Sequence, residues 1–230
     1  MLTRFTVSAC AAALACVAAF APVAASAAPK FTYNGPATGG FINVNADRSG
    51  AGGSNETFQS GPFDMTQTDP GTPLGDFIAW CFELDQNLVT SGTGTRSYTS
   101  GNVLDADQRK RVQSVFDANY KDAAIETNRR KGAAFQLALW EVIYDDNFDL
   151  GGGDFKSSTG GNVRSLADGF LTEANAYTGP QQWVLTELSS DTAQDLGTVN
   201  AIPLPAAAWL LLGVTGGLVA AKRRSARREA

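Results

Sequence analysis

Asp76-Phe77-Ile78-Ala79-Trp80-Cys81-Phe82-Glu83-Leu84 is the stretch whose reading decides the fold. Its aromatic and β-branched residues, with the run continuing to Leu88, make Asp76 to Leu88 the strongest strand signal in the chain. Side chains alternate across a strand, so Ile78, Trp80, Phe82 and Leu84 share one face while Phe77, Ala79, Cys81 and Glu83 share the other. Cys81 therefore lies opposite the most apolar face. A second layer has to cover it if it is to be buried.

A helix is expected to supply polar chemistry from such a layer. From Ala133 to Tyr144 only Gln136 and Glu141 are polar, which predicts a helix apolar nearly all round and therefore central, with Thr127 capping its start. Gln136 shares a stripe with Ala133, Trp140 and Ile143 and should face packed structure. A buried carboxamide without partners costs roughly 1–3 kcal/mol, so the fold must satisfy this group or use it. A preceding helix from Asp105 to Lys121 has Asp105 as N-cap, Gln108 in the capping-box position and Val112, Val115 and Phe116 at helical spacing. Arg109, Lys110 and Arg111 read as its solvated side. A further short helix over 162–176 and strands at Gly40 to Asn45, Pro62 to Thr66 and Gln182 to Ser189 complete the pattern. The expected class is α+β: an antiparallel sheet or meander holding Cys81, packed against a small helical layer holding Gln136, in a single domain over 28–198.

Charge and composition narrow the function. The chain of 230 residues has a formal charge of −5, but 12 basic and 22 acidic residues fall between Ala28 and Asn200, near −10. Nucleic acid is not an expected partner, because phosphate binding needs clustered Lys and Arg. The absence of His from the sequence excludes Cys-His and Ser-His nucleophilic machinery and His-ligated metals. Asp145, Asn147 and Asp149 alternate as in a calcium loop, yet Leu150 stands where that loop needs Gly and Lys156 where it needs Glu. The segment reads as a solvated turn, and neither metal nor cofactor is expected.

Both ends read as targeting segments. Residues 1–27 combine Arg4, an apolar run from Phe5 to Val23 and the small residues Ala25-Ser26-Ala27, the pattern of a secretory signal peptide. Cys10 and Cys16 would leave with it, so Cys81 would stand alone in a compartment where cysteines usually pair. Residues 199–230 carry Ile202, Pro203, Leu204, Pro205 and Ala206, then an apolar stretch to Ala221 and the basic end Lys222-Arg223-Arg224. The stretch is just long enough for a membrane helix, with the basic end on the cytoplasmic side. This three-part tail resembles the PEP-CTERM sorting signals, in particular the Val-Pro-Leu-Pro-Ala variant. The resemblance implies an exosortase-like processing enzyme as partner and a location in the envelope, outer surface or extracellular matrix of a Gram-negative bacterium. A plain C-terminal membrane anchor is the simpler alternative.

An unpaired exported cysteine and a glutamine on a packed helix suggest one reaction in particular. Attack of the Cys81 sulfur on the Gln136 side-chain carbonyl would expel ammonia and leave an internal thioester, a bond that stores reactivity toward amines. Rigid placement has to drive it, and intramolecular placement can reach effective molarities of roughly 10⁵ to 10⁸ M. Trp140 is the candidate lid, and Glu83 and Glu141 are candidates for moving a proton to or from an incoming amine. Trp80-Cys81-Phe82 and Phe135-Gln136-Leu137-Ala138-Leu139-Trp140 resemble the strand and helix motifs of the thioester domains of bacterial surface adhesins. That resemblance implies covalent attachment to an amine-bearing surface protein or polymer, and a single-use link rather than a turnover enzyme. Leu137 departs from it, as does the short separation of Cys81 from Gln136.

Two other readings remain open at this level. Cys81 can be a small apolar core residue and Gln136 a buried amide bonded to backbone. Alternatively, the domain can be a non-covalent structural or polysaccharide-binding protein of the biofilm matrix, with exposed Tyr33, Phe58 and Tyr98 stacking on sugars.

Overall fold

The computed structural model describes residues 28–48, 55–69, 74–87 and 95–202. The expected signal peptide, Pro203 to Ala206, the apolar stretch after them and the basic end lie outside the described residues. Among the described residues no helix is long and apolar enough to cross a membrane. The strands are β1 (Lys30–Pro36), β2 (Ile42–Asp47), β3 (Glu56–Ser60), β4 (Phe63–Gln67), β5 (Asp76–Cys81), β6 (Thr95–Ser97), β7 (Thr99–Ser100), β8 (Lys156–Ser157), β9 (Trp183–Ser189) and β10 (Leu196–Ala201). The helices are α1 (Ala106–Asn119), α2 (Ala124–Thr127), α3 (Arg129–Tyr144) and α4 (Gly161–Asn175).

The expected α+β architecture of antiparallel strands and a helical layer is present. Its main sheet has seven strands in the order β6-β1-β4-β5-β10-β9-β7, every pairing antiparallel. Both edges come from one stretch of chain, since only Tyr98 separates β6 from β7. The sheet thus closes on itself as a small barrel, which removes the exposed edges that an open sheet would carry. Phe31 fills the interior, in edge-on contact with Phe77 at 5.4 Å and with Tyr98 at 5.5 Å. A second, three-stranded sheet, β3-β2-β8, lies against α3.

The strand that carries the cysteine is shorter than its apolar run suggests: β5 ends at Cys81, not near Leu88. Beyond it the chain leaves the ladder, with Phe82 still donating its N–H to the Asp195 carbonyl at 2.9 Å. Phe82 packs over Gly197 of β10, where a Cβ would meet the ring at 1.9 Å, so only glycine admits the aromatic ring there. The alternation across β5 holds. Trp80 faces the helices, meeting Phe135 of α3 at 4.7 Å and Tyr120 after α1 at 6.0 Å, whereas Ala79 and Cys81 face inward.

α1 begins as its sequence predicts. The Asp105 carboxylate accepts from the N–H groups of Asp107 and Gln108, and Gln108 returns an acceptor to the Asp105 N–H. Its charged run is not the plain solvated face expected. Arg109 pairs with buried Glu187 and Arg111 donates to the Val142 carbonyl at 2.9 Å, leaving Lys110 out in solvent. The cap of α3 is Asn128, whose side chain accepts from Arg130 and Lys131, rather than Thr127, which ends α2. The final strand β10 was not marked in the sequence pattern, and it continues past residue 198 to Ala201 between β5 and β9.

Candidate functional site

α3 is buried from Gly132 to Ile143, so its one carboxamide, Gln136, is fully enclosed. The Gln136 Oε1 accepts from the Cys81 backbone N–H at 2.9 Å, and its Nε2 donates to the Cys81 carbonyl at 2.8 Å. The strand register explains why that backbone is free to receive it. β4 pairs with β5 only as far as Phe63 opposite Ala79, and the next inward pairing would set Gly61 opposite Cys81. Gly61 instead takes a φ of 146° between β3 and β4, so the Gln136 carboxamide occupies the place of a strand partner. Ser60, one residue earlier, donates its hydroxyl to the Ala133 carbonyl at 2.7 Å and holds α3 against the β3–β4 corner.

Among the described residues Cys81 is a free cysteine with 1% exposure. Its thiol donates to the Glu83 carbonyl at 2.6 Å. Burial pushes the thiol pKa up to about 12; hydrogen bonding by the Glu83 backbone and the Trp140 side chain opposes that rise, and the negative charges of Glu83 and Asp195 add to it. The Glu83 carboxylate accepts from the Asp195 N–H at 3.2 Å, which ties the segment after β5 to the turn before β10. Tyr144 closes the same segment from the end of α3, its hydroxyl accepting from the Leu84 N–H at 2.8 Å.

Trp140 lies one turn beyond Gln136 and is 1% exposed, and its indole Nε1 has no hydrogen-bond partner among the described residues. Its ring meets Phe58 at 5.9 Å and forms part of the wall of a pocket of about 590 Å³. Leu84 and Gln194 also line this pocket, and the Gln194 amide donates at 3.3 Å to the same Glu83 carbonyl that receives the thiol. The Cys81 thiol and a residue of the pocket wall therefore share one acceptor.

Of the residues singled out in the sequence, Cys81, Gln136, Glu83 and Trp140 come together. Glu141 does not. It lies roughly 140° around α3 from Gln136, and its Oε1 accepts from the Asp149 N–H at 2.8 Å in the loop that follows the helix. It is fully buried, and burial first, then the nearby Asp145 and Asp149, push its carboxyl up to about 8. Its Oε2 has no partner among the described residues. The loop has no calcium-type arrangement: Asp145 accepts the N–H groups of Asp154 and Phe155, and no described cluster of carboxylates or cysteines is placed to hold a metal ion. Gln194 and Tyr144 were not legible as site residues, because only the tertiary fold brings them to Cys81. Ile202, the described residue of the expected sorting motif, is exposed and donates its N–H to the Gln182 carbonyl at 3.0 Å.

The aromatics proposed for sugar stacking are wholly or partly packed against other rings. Tyr98 is 2% exposed inside the barrel, Tyr33 packs edge-on against Phe63, and Phe58 leans on Trp140.

No family profile and no curated protein matches the sequence. Among solved structures, the fold is similar to the N-terminal domain of the Streptococcus pyogenes pilus tip adhesin Cpa, at 12% identity and a TM-score of 0.42, over 70% of this chain and 95% of that one. It is also similar to the N-terminal thioester domain of a surface protein from Clostridium perfringens, at 11% identity and a TM-score of 0.40, over 70% and 100% of the two chains. At these levels no residue role passes from those proteins to this one.

Proposed function

We propose that Cys81 and Gln136 form an internal thioester and that the domain uses it to attach covalently to amine-bearing surface proteins or polymers. The observation that carries this reading is the clamp itself: a fully buried carboxamide held at both ends on the backbone of the residue that bears the one thiol among the described residues. In the reaction the sulfur–carbon bond forms, the carbon–nitrogen bond of the carboxamide breaks, and the thiol proton leaves with the nitrogen as ammonia. Charge develops on Gln136 Oε1 as the sulfur adds, and the Cys81 N–H already donates to that atom.

Two magnitudes compete. With the thiol pKa near 12, about one molecule in 10⁵ is ionised at pH 7. Fixed placement offers an effective molarity of roughly 10⁵ to 10⁸ M, enough to offset that scarcity. An amine attacking the finished thioester then forms an amide with the former Gln136 acyl group, and Cys81 leaves as the thiol, taking up the proton that the amine releases. Each domain reacts once, so it works as a cross-linker rather than a turnover catalyst.

Export by the N-terminal segment, membrane retention through the C-terminal helix and processing by an exosortase-like enzyme at Ile202 to Ala206 belong to the same reading, as does a location at the surface of a Gram-negative cell. Their support is the sequence pattern of the two ends. A second reading keeps Gln136 as a purely structural strand mimic, and the bonding of both ends of its amide to one residue's backbone favours it. Intact-mass spectrometry separates the two. The thioester predicts a protein lighter by one ammonia, shifted upward by methylamine addition, and unmodified in Cys81→Ala. A full-mass protein whose Cys81 is alkylated without amine treatment would refute it.

A further inference from the structure

We infer that the indole N–H of Trp140 is the hydrogen-bond donor that serves the Cys81 sulfur whenever that atom carries negative charge, both as the thioester forms and as an amine opens it. The inference rests on the thioester reading for its chemistry and on an independent structural anomaly for its origin. A donor buried without an acceptor costs roughly 1–3 kcal/mol, so an orphaned indole N–H in a packed interior calls for a use. Trp140 has that orphaned donor at 1% exposure. It sits one turn from Gln136, whose carboxamide is fixed on Cys81.

The resting state explains why the donor is idle. A neutral thiol sulfur is a weak acceptor, and here the thiol proton is directed to the Glu83 carbonyl. Ionisation removes that bond and makes the sulfur a strong acceptor, which an N–H beside it can satisfy without moving water into the site. The Trp140 side chain opposes the rise of the thiol pKa, the effect that a donor has on the ionised sulfur. No proton leaves the indole at any stage. It stabilises the attacking thiolate during closure and the departing thiolate during aminolysis, while the Cys81 N–H serves the carbonyl oxygen. The two ends of the reacting group therefore have separate donors, one from β5 and one from α3.

Trp140 also forms part of the pocket wall, where its ring stands beside Phe58. A wall and a donor are separable roles. Trp140→Phe keeps an aromatic wall and removes the N–H, and 3-benzothienylalanine incorporated at position 140 keeps the bicyclic shape as well.

The test measures methylamine opening of the full domain by intact mass, and then the reaction of the Cys81 thiol that opening releases with methyl methanethiosulfonate against pH, in wild type and both variants. The expected result is a loss of about tenfold or more in the opening rate for both variants, with a lower thiol reaction rate at each pH and unchanged circular dichroism. Wild-type rates in the benzothienyl variant would overturn the donor role, whether or not Trp140→Phe is slow. If the purified protein has full mass, the thioester reading fails by that measurement, and the mechanistic inference fails with it; equal thiol reactivity in wild type and the benzothienyl variant would further show that the indole N–H does not even assist the thiolate.

Discussion

The two polar side chains that α3 buries make opposite bargains with their surroundings. Gln136, on the barrel side, has both ends of its carboxamide bonded to Cys81; Glu141, facing the loop after the helix, has one oxygen on the Asp149 N–H and the other without a partner among the described residues. A neutral amide with a donor and an acceptor can replace a missing strand partner in full. A carboxyl group in a similar enclosure stays protonated instead, because burial penalises its charged form. Burial alone therefore does not identify chemistry. What distinguishes the Gln136 side is a second reactive group, the Cys81 thiol, attached to the backbone that satisfies it.

The comparison can be broken most directly from the barrel side. Gln136→Ala leaves the Cys81 N–H and carbonyl unpaired beside a cavity, and unfolding in denaturant should show a loss of about 3–4 kcal/mol. A loss under about 1 kcal/mol would mean that water or a shifted β4 replaces the carboxamide, and that the clamp is dispensable to the fold.

The loop side yields a smaller effect with a pH signature. The folded-state pKa of Glu141, about 8, lies above its ordinary 4.5. Between those values the folded protein holds a proton that the unfolded chain has released, so this group's contribution to stability is lost as pH rises from about 4.5 to about 8. Glu141→Gln should match wild type near pH 4.5 and exceed it by on the order of 1–3 kcal/mol at pH 8. Parallel stability curves across that range would show that Glu141 ionises freely in the fold. A finer change sharpens the same point: Asp149→Asn removes one of the two carboxylates that raise the Glu141 pKa and keeps the acceptor for the Gly151 N–H. The Glu141 midpoint should move down by a fraction of a pH unit, measurable by side-chain NMR titration.

Much of the site was readable from local pattern. The stripe that unites Gln136 with Trp140 follows from helical spacing, and the Asp105–Gln108 box caps α1 as expected because both partners lie within one turn. The cap of α3 lies one residue beyond the Thr127 that its pattern suggests, since Thr127 and Asn128 are both capping types and only the presence of α2 assigns the role to Asn128. Arg109 and Arg111 look solvated in the local pattern because nothing nearby in sequence announces Glu187 or the Val142 carbonyl. Glu141 fits a proton-transfer role by residue type alone, but its helical angle turns it toward the other side of α3 from Gln136.

The sequence by itself determined that the folded region is α+β, that the Cys81 strand shows an apolar face on its other side, and that α3 must bury an amide. These follow from periodicity and composition, which act over a few residues. Only the tertiary structure decided that the sheet closes through Thr95 to Ser100, that β10 slots between β5 and β9, and that β4 stops short of Cys81 so that Gln136 can take its place. Register and closure come from pairings between distant segments, where the free energy of one ladder depends on every other, and no short stretch of sequence carries that information.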